Sequence, residues 1–353
     1  MAVKKQSFGK LSDGTEVFLY TIINEKGESV SVTEYGASVV AINIRDRERN
    51  LCDIALGCSC AADYEEQTAC LGGVPGRHAN RIGKGRFVLN GEEYSLAVNN
   101  GPNHLHGGPT GFHRRVWYGK VVDDDSVVFS RLSTDGEEGY PGNLMVSVKY
   151  TFTNKGRLVI RYKALADRDT VVNLTNHTYF NLNGHDSGSV NGQYLHIWAD
   201  SFTENDSDCL PTGRVVSLDS EEGKAMDFRE DRTIGEKIEE NNIHLKNGSG
   251  YDHNYILENR KDGLAARAYS KESGICMECY TTQPGVQFYT GNFLSSSNIR
   301  GKDGAAYQDR DGFCLETQHF PNAMACPQFP SVVLKAGEPV SYTHLTLPTT
   351  ERV

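Results

Sequence analysis

Two stretches of the chain set a proton-transfer group inside an apolar frame. The first is NLTNHTYFNL, residues 173–182, where Leu174, Phe180 and Leu182 surround a polar centre. Side chains alternate along an extended strand, so one face would carry Asn173, Thr175, His177, Tyr179 and Asn181, all able to hydrogen-bond. The second is GFCLETQHF, residues 312–320, where Glu316 shares a face with Cys314 and Gln318 while Phe313 and Leu315 cover the other. A carboxylate is rarely buried without a partner or a purpose. Partial burial raises its pKa towards the range useful for a general base. A histidine with an ordinary pKa of about 6.5 gives and recovers protons near neutrality. The pair suits acid–base chemistry on a small, buried, polar ligand.

Four more stretches crowd donors and acceptors among glycines: GRHANRIGKG (76–85), NHLHGGPTGFHRRVW (103–117), GYDHNY (250–255) and TTQPGVQFYTGNF (281–293). Taken singly, each reads as a turn, because Asn or Asp beside Gly is ordinary turn chemistry. HLHGG and DHN offer metal-type ligands, but no compact pattern completes a site. Cys276-x-x-Cys279 lacks the second pair that a structural zinc needs. DGEEGYPG, residues 135–142, lacks the alternating ligands of a calcium loop and reads as a rigid turn. No metal and no cofactor are expected.

Strand signals dominate the elements that must hold these groups. Val146, Val148, Tyr150 and Phe152 alternate up to Asn154-Lys155-Gly156, and Leu158, Ile160 and Tyr162 continue beyond it, a hairpin pattern. RFVLNGEEYSL, with Asn90-Gly91 at its turn, is a second hairpin. Helical signals are confined to 61–69 and to RTIGEKIEENN, 232–242. The 36 glycines punctuate the remainder as turns. The fold expected is all-β: one domain over residues 1–340, a large antiparallel β-sandwich of two packed sheets with a few short helices.

The bulk numbers narrow the function. The 353 residues carry a formal net charge of −10 with no basic stripe, which excludes nucleic acid as an expected partner. There is no run of eighteen apolar residues, so no membrane span is expected, and the N-terminus has no signal-peptide pattern. Nine cysteines, an odd number, point to reduced thiols in the cytoplasm. A monomer or homodimer is expected.

The motifs GRHANRI, LHGGPTGF, DGEEGYPG, NLTNHTYFNL, YDHN, TTQPGVQFYTGN and GFCLETQ, in this order, closely resemble the aldose 1-epimerase (galactose mutarotase) family. The resemblance runs from about residue 70 to 330. It implies a single β-sandwich and the interconversion of the α and β anomers of free aldohexoses such as D-galactose and D-glucose. It implies no metal or organic cofactor, with His177 as general acid and Glu316 as general base. It further implies sugar contacts at Asn80, Arg81, His106, Tyr179, Asp252 and Gln287. A non-catalytic sugar-binding protein would not need the acid–base pair. A hexose-phosphate 1-epimerase would need further cations, for which Arg114 and Arg115 are candidates. A glycosidase would more typically need two carboxylates.

The end of the chain departs from the family. A closing strand rich in His, Thr, Tyr and Phe is expected after LKAGEPV, but the chain reads SYTHLTLPTTERV. Val340 to Thr349 back-translates to a run resembling a transposon-based sequencing adapter. Residues 341–353 are therefore expected to be a non-native tail with few ladder hydrogen bonds.

Overall fold

The computed structural model describes residues 1–257 and 262–350, residues 345–350 by their backbone alone. Every strand ladder among the described residues is antiparallel. Three larger sheets form. An N-terminal meander pairs five strands between Ala2 and Asp53. A nine-stranded sheet runs, in spatial order, through Tyr118–Asp123, Ser126–Ser133, Leu144–Phe152, Leu158–Ala166, Val340–Thr350, Ile275–Thr281, Leu264–Tyr269, Tyr194–Ile197 and Arg232–Thr233. A five-stranded sheet, here the site sheet, orders Pro211–Ser217, Ser201–Asn205, Asp252–Ile256, Gly285–Tyr289 and Cys314–Gln318. The two-sheet expectation thus becomes three, because the N-terminal strands pair among themselves.

Both expected hairpins form. Tyr150 faces Ile160 across the first, with Gly156 at φ 73°. Phe87 faces Tyr94 across the second, where Asn90 and Gly91 both take the positive φ that a tight primed turn demands. The apolar face of the site sheet, with Tyr255, Val286, Phe288 and Leu315, shares one core with Val146, Val148, Tyr150, Ile160 and Tyr162 of the nine-stranded sheet. Burying one such side chain contributes about 1.5–3 kcal/mol. No helix among the described residues is long and apolar enough to cross a membrane.

The helix at Ala61–Glu66 lies where the sequence puts one, but no helix covers 232–242. The second helix is Ile243–Gly248, started by Asn242, whose side chain accepts the His244 N–H at 2.9 Å. Ile234 and Ile238 are buried all the same, packed in from an irregular segment that begins as the short strand Arg232–Thr233. Residues 173–182 also differ from expectation. They make no ladder strand; only isolated bridges, Asn173 to His78 and Phe180 to Ala55 and Phe313, hold them in place. The segment stays extended because its backbone is shared among loops: His177 N–H donates to Gly73 O at 2.9 Å and Gly72 N–H to His177 O at 2.9 Å.

The chain's end does not leave the sheet. Val340–Thr350 pairs with Leu158–Ala164 on one side and Ile275–Thr281 on the other. Two ladder edges would stay open without it, and its period-two pattern turns Tyr342 and His344 into the core. Pro348 lies beyond Thr346, the last residue paired to the 158–166 strand, so one flank is open where the missing N–H falls. Tyr342 packs 6.1 Å from the Tyr162 ring, centroid to centroid, and is 6% exposed. Tyr342→Ala is expected to cost roughly 3 kcal/mol of stability, measured by chemical denaturation. An unchanged midpoint would show that the chain's end does not occupy this slot.

Candidate active site

The register of the site sheet separates its two faces. Gln287 pairs with Asn254 on one side and Glu316 on the other, while Tyr289 pairs with Asp252 and Cys314. Paired residues share a face, so Asp252, Asn254, Gln287, Tyr289, Cys314, Glu316 and Gln318 lie together, opposite the apolar set. Above this polar face the 173–182 segment delivers His177 and Tyr179. Asn173 and Asn181 point the same way along the segment, but their amides are spent on loop carbonyls, of Ala79 and His319 and of Gly188 and Asp311.

Loops 76–82 and 104–114 close the third side. Asn80 N–H donates to His106 Nδ1 at 3.1 Å, and His106 N–H donates to Asn80 O at 3.2 Å. Both residues hold the left-handed conformation, φ 62° and 53°, uncommon for residues with a side chain. Gly107 makes the approach possible: at φ 84°, a Cβ there would sit 1.7 Å from Gly76 O. The acidic turn 135–142 braces these loops. Arg77 is buried with its guanidinium on the carbonyls of Ser133, Thr134 and Pro141, and Glu138 accepts the Thr110 N–H.

The result is a cleft of about 180 Å³ lined by Asn80, Arg81, His106, His177, Tyr179, Asp252 and Glu316. That is about six times the ~30 Å³ share of a liquid water, room for one small polar molecule. His177 Nε2 stands 3.6 Å from Glu316 Oε1, and Glu316 Oε2 is buried without a protein partner. Arg81 reaches Asp252 at 3.9 Å and donates through Nε to Asn100 Oδ1 at 3.0 Å. Gln287 lies behind the cleft. It donates to Asp252 Oδ1 at 2.6 Å and accepts from Gln318 at 3.2 Å, and so orients the carboxylate. Tyr179 offers its ring, 4.9 Å from that of His177, because its hydroxyl donates to Ala69 O at 3.0 Å. Tyr289, Asn100 and Cys70 join the cleft without having been singled out. The signal for Tyr289 was present, since it follows Gln287 by two and must share its face. Arg114 and Arg115 do not line the cleft. Arg114 donates to the carbonyls of Glu65 and Gln67, and Arg115 to Thr110.

Burial dominates the protonation of Glu316, Asp252, His177 and His106. It pushes Glu316 well above the usual carboxylate range, with the Asp252 charge adding and the Arg81 charge opposing. It raises Asp252 too, against Arg81 and Gln287. It lowers His177 to about 4 and His106 well below its ordinary value, the latter helped by His177, His113 and Arg81. Burial therefore favours the uncharged form of both partners, a neutral imidazole and a carboxylic acid.

His106, His177 and Glu316 bring three ligand-type atoms within 4.8 Å of one another. Their chemistry fits a metal poorly. His106 Nδ1 is an acceptor of a backbone N–H, so its Nε2 carries the proton and has no lone pair for an ion. Nor can Cys276 and Cys279 form a chelating pair, because residues three apart on a strand face opposite ways.

The aldose 1-epimerase family model matches residues 19–345. Galactose mutarotase of Sus scrofa is 42% identical over 347 residues, covering 98% of each chain. Aldose 1-epimerase of Escherichia coli K12 is 36% identical over 338 residues, 95% of each. Among solved structures, galactose 1-epimerase from Lactobacillus acidophilus superposes with a TM-score of 0.86 at 26% identity, covering 99% of both chains. An aldose epimerase homologue from C. elegans gives 0.87 at 27%, covering 94% of this chain and 98% of its own.

Two outcomes are expected of this protonation pattern. Zinc titrated into protein dialysed against EDTA should find no stoichiometric high-affinity site, and a 1:1 complex that His106→Phe abolishes would overturn the tautomer assigned to His106. Stability should fall on acidification. His78, His113, His253 and His344 are held near 3 and His177 near 4, chiefly by burial. Below about pH 6.5 the unfolded chain binds protons that the fold refuses, costing ~1.4 kcal/mol per pH unit for each ring. Glu316 and Asp252, raised in the fold, act in the opposite sense, but two carboxyls do not offset five imidazoles. The thermal midpoint should drop between about pH 7 and pH 5. A flat profile would mean that these rings are solvated.

Proposed function

The chain belongs to the aldose 1-epimerase family and is an isomerase of aldose anomers; we propose that Glu316 is its general base and His177 its general acid, and that D-galactose and D-glucose are its substrates. One observation carries the assignment. A carboxyl group and an imidazole stand 3.6 Å apart in a polar cleft, with a second carboxyl oxygen unpartnered. Mutarotation needs proton transfers at two oxygens on one carbon, the anomeric hydroxyl and the ring oxygen. Two groups this close suit that demand.

Glu316 takes the proton from the anomeric hydroxyl as His177 Nε2–H delivers one to the ring oxygen, and the C1–ring-oxygen bond opens to an aldehyde. Rotation about C1–C2 presents the other carbonyl face. Reversal of both transfers closes the ring, and no bond forms between sugar and protein. The pair carries one proton throughout, as Glu⁻ with HisH⁺ before opening and GluH with neutral His after it. Burial favours the uncharged arrangement, so the charged one that opens the ring is the less populated of the two. His106 Nε2–H donates to a sugar oxygen, while Arg81 and Asp252 meet further hydroxyls by charge-assisted bonds. Arg114 and Arg115 are committed to backbone carbonyls and to Thr110 rather than to the cleft, which supports free sugars over sugar phosphates.

Glu316→Gln and His177→Asn should each cut turnover by about 10²–10⁴-fold while sugar still binds. The measurements are polarimetry on freshly dissolved α-D-galactose and α-D-glucose, and calorimetric titration with sugar. Near-wild-type rates in both variants would refute the two roles.

A further inference from the structure

His177 shows its two ring nitrogens to two residues of one strand. Nε2 faces Glu316 at 3.6 Å, and Nδ1 lies 3.5 Å from Cys314 Sγ. Cys314 and Glu316 are two apart on Cys314–Gln318, hence on one face, and the ring spans them. The ring's own backbone also hydrogen-bonds to it and favours its protonated form. The remaining titratable groups around the ring are His106 from its loop, His113 behind it, Tyr179 along the segment, Tyr289 on the neighbouring strand and Cys70 on the cleft wall.

Resting on the reading of His177 as the acid, we propose that Cys314 is a positioning residue for mutarotation: its sulfur accepts a hydrogen bond from His177 Nδ1–H and so reserves Nε2 for the proton that moves. The acid must lose its proton from Nε2 and regain it there. That requires the neutral ring to keep its hydrogen on Nδ1, and an acceptor on that side holds it. Histidines are commonly fixed by the partner of their second nitrogen. A carboxylate in this position would stabilise the imidazolium strongly. A thiol is a weak, uncharged acceptor, which sets the tautomer while leaving the proton easy to give up. The thiol itself stays protonated, because burial, then the charges of Glu316 and Asp252, push it well above its ordinary value. Tyr289, paired across from Cys314 and 6.2 Å from the His177 ring by centroids, closes the arrangement on its other flank.

The test compares Cys314→Ala with Cys314→Ser, using pH profiles of kcat and, in the wild type, ¹⁵N resonances of the His177 ring assigned by their loss in His177→Asn. Alanine should lower kcat about tenfold, the worth of one hydrogen bond, with KM little changed. It should also move the acid limb of the profile to lower pH, since the imidazolium has lost an acceptor. Serine, whose hydroxyl accepts as well, should restore kcat and bring the limb back to the wild-type position or above it. The wild-type spectrum should show the Nδ1–H tautomer at neutral pH, a readout that holds even if alanine fails to fold. An Nε2–H tautomer, an unshifted alanine profile, or a serine variant as impaired as alanine would overturn the role of Cys314. Full activity in His177→Asn would instead remove the acid assignment on which it rests.

Discussion

Strand register is the constraint on which the rest of this molecule depends, because in the site sheet it decides at once what is wet and what is dry. Pairing Gln287 with Glu316 puts Phe288 and Leu315 into the core shared with the nine-stranded sheet. A slip of one residue on either strand would bury a glutamate among aromatics and turn a phenylalanine to the cleft. The hydrophobic core therefore fixes the polar site more firmly than the site's own hydrogen bonds do. Those bonds then add finer placement: Gln318 holds Gln287, Gln287 holds Asp252, and Asp252 meets Arg81.

Within that frame the two histidines of the cleft are set in opposite senses. A backbone N–H on Nδ1 makes His106 a fixed donor at Nε2. His177 has a sulfur on Nδ1 and a carboxyl group near Nε2. The first arrangement suits holding an oxygen and the second suits exchanging a proton with one. Burial favours the uncharged form of both. No solvent shell then has to be rearranged when charge appears, the condition under which fixed donors and acceptors are most effective.

Much of this was legible in the residues, and the losses have identifiable causes. Alternation in 144–166 and Asn-Gly at 90–91 specify hairpins locally, so those elements follow directly. Alternation also placed Cys314, Glu316 and Gln318 on one face, and the same rule reaches Tyr289. The 173–182 segment kept its alternation but not its ladder, because its backbone partners come from loops far away in sequence, which no local pattern encodes. Residues 232–242 have a helical spacing of isoleucines that burial alone explains, and Gly235 weakens any helix there. Gln287 was read as meeting the sugar; that its amide also donates to Asp252 and accepts from Gln318 is a matter of tertiary placement that no local pattern encodes. At the chain's end, composition argued against a strand, whereas the open slot between 158–166 and 275–281 favours one.

The place of that last strand has a consequence for how the molecule is made. Val340–Thr350 follows the other eight strands of its sheet in the sequence but lies fifth among the nine. Residues 158–166 emerge from the ribosome early, and their outer edge waits through the addition of nearly half the chain. The 275–281 edge waits as well, and the two halves of the sheet are not joined through this strand until residues 340–350 have been made. Nascent chains thus carry two unpaired edges of the kind that recruit neighbouring strands. Any pause in elongation before residues 340–350 are made lengthens that exposure.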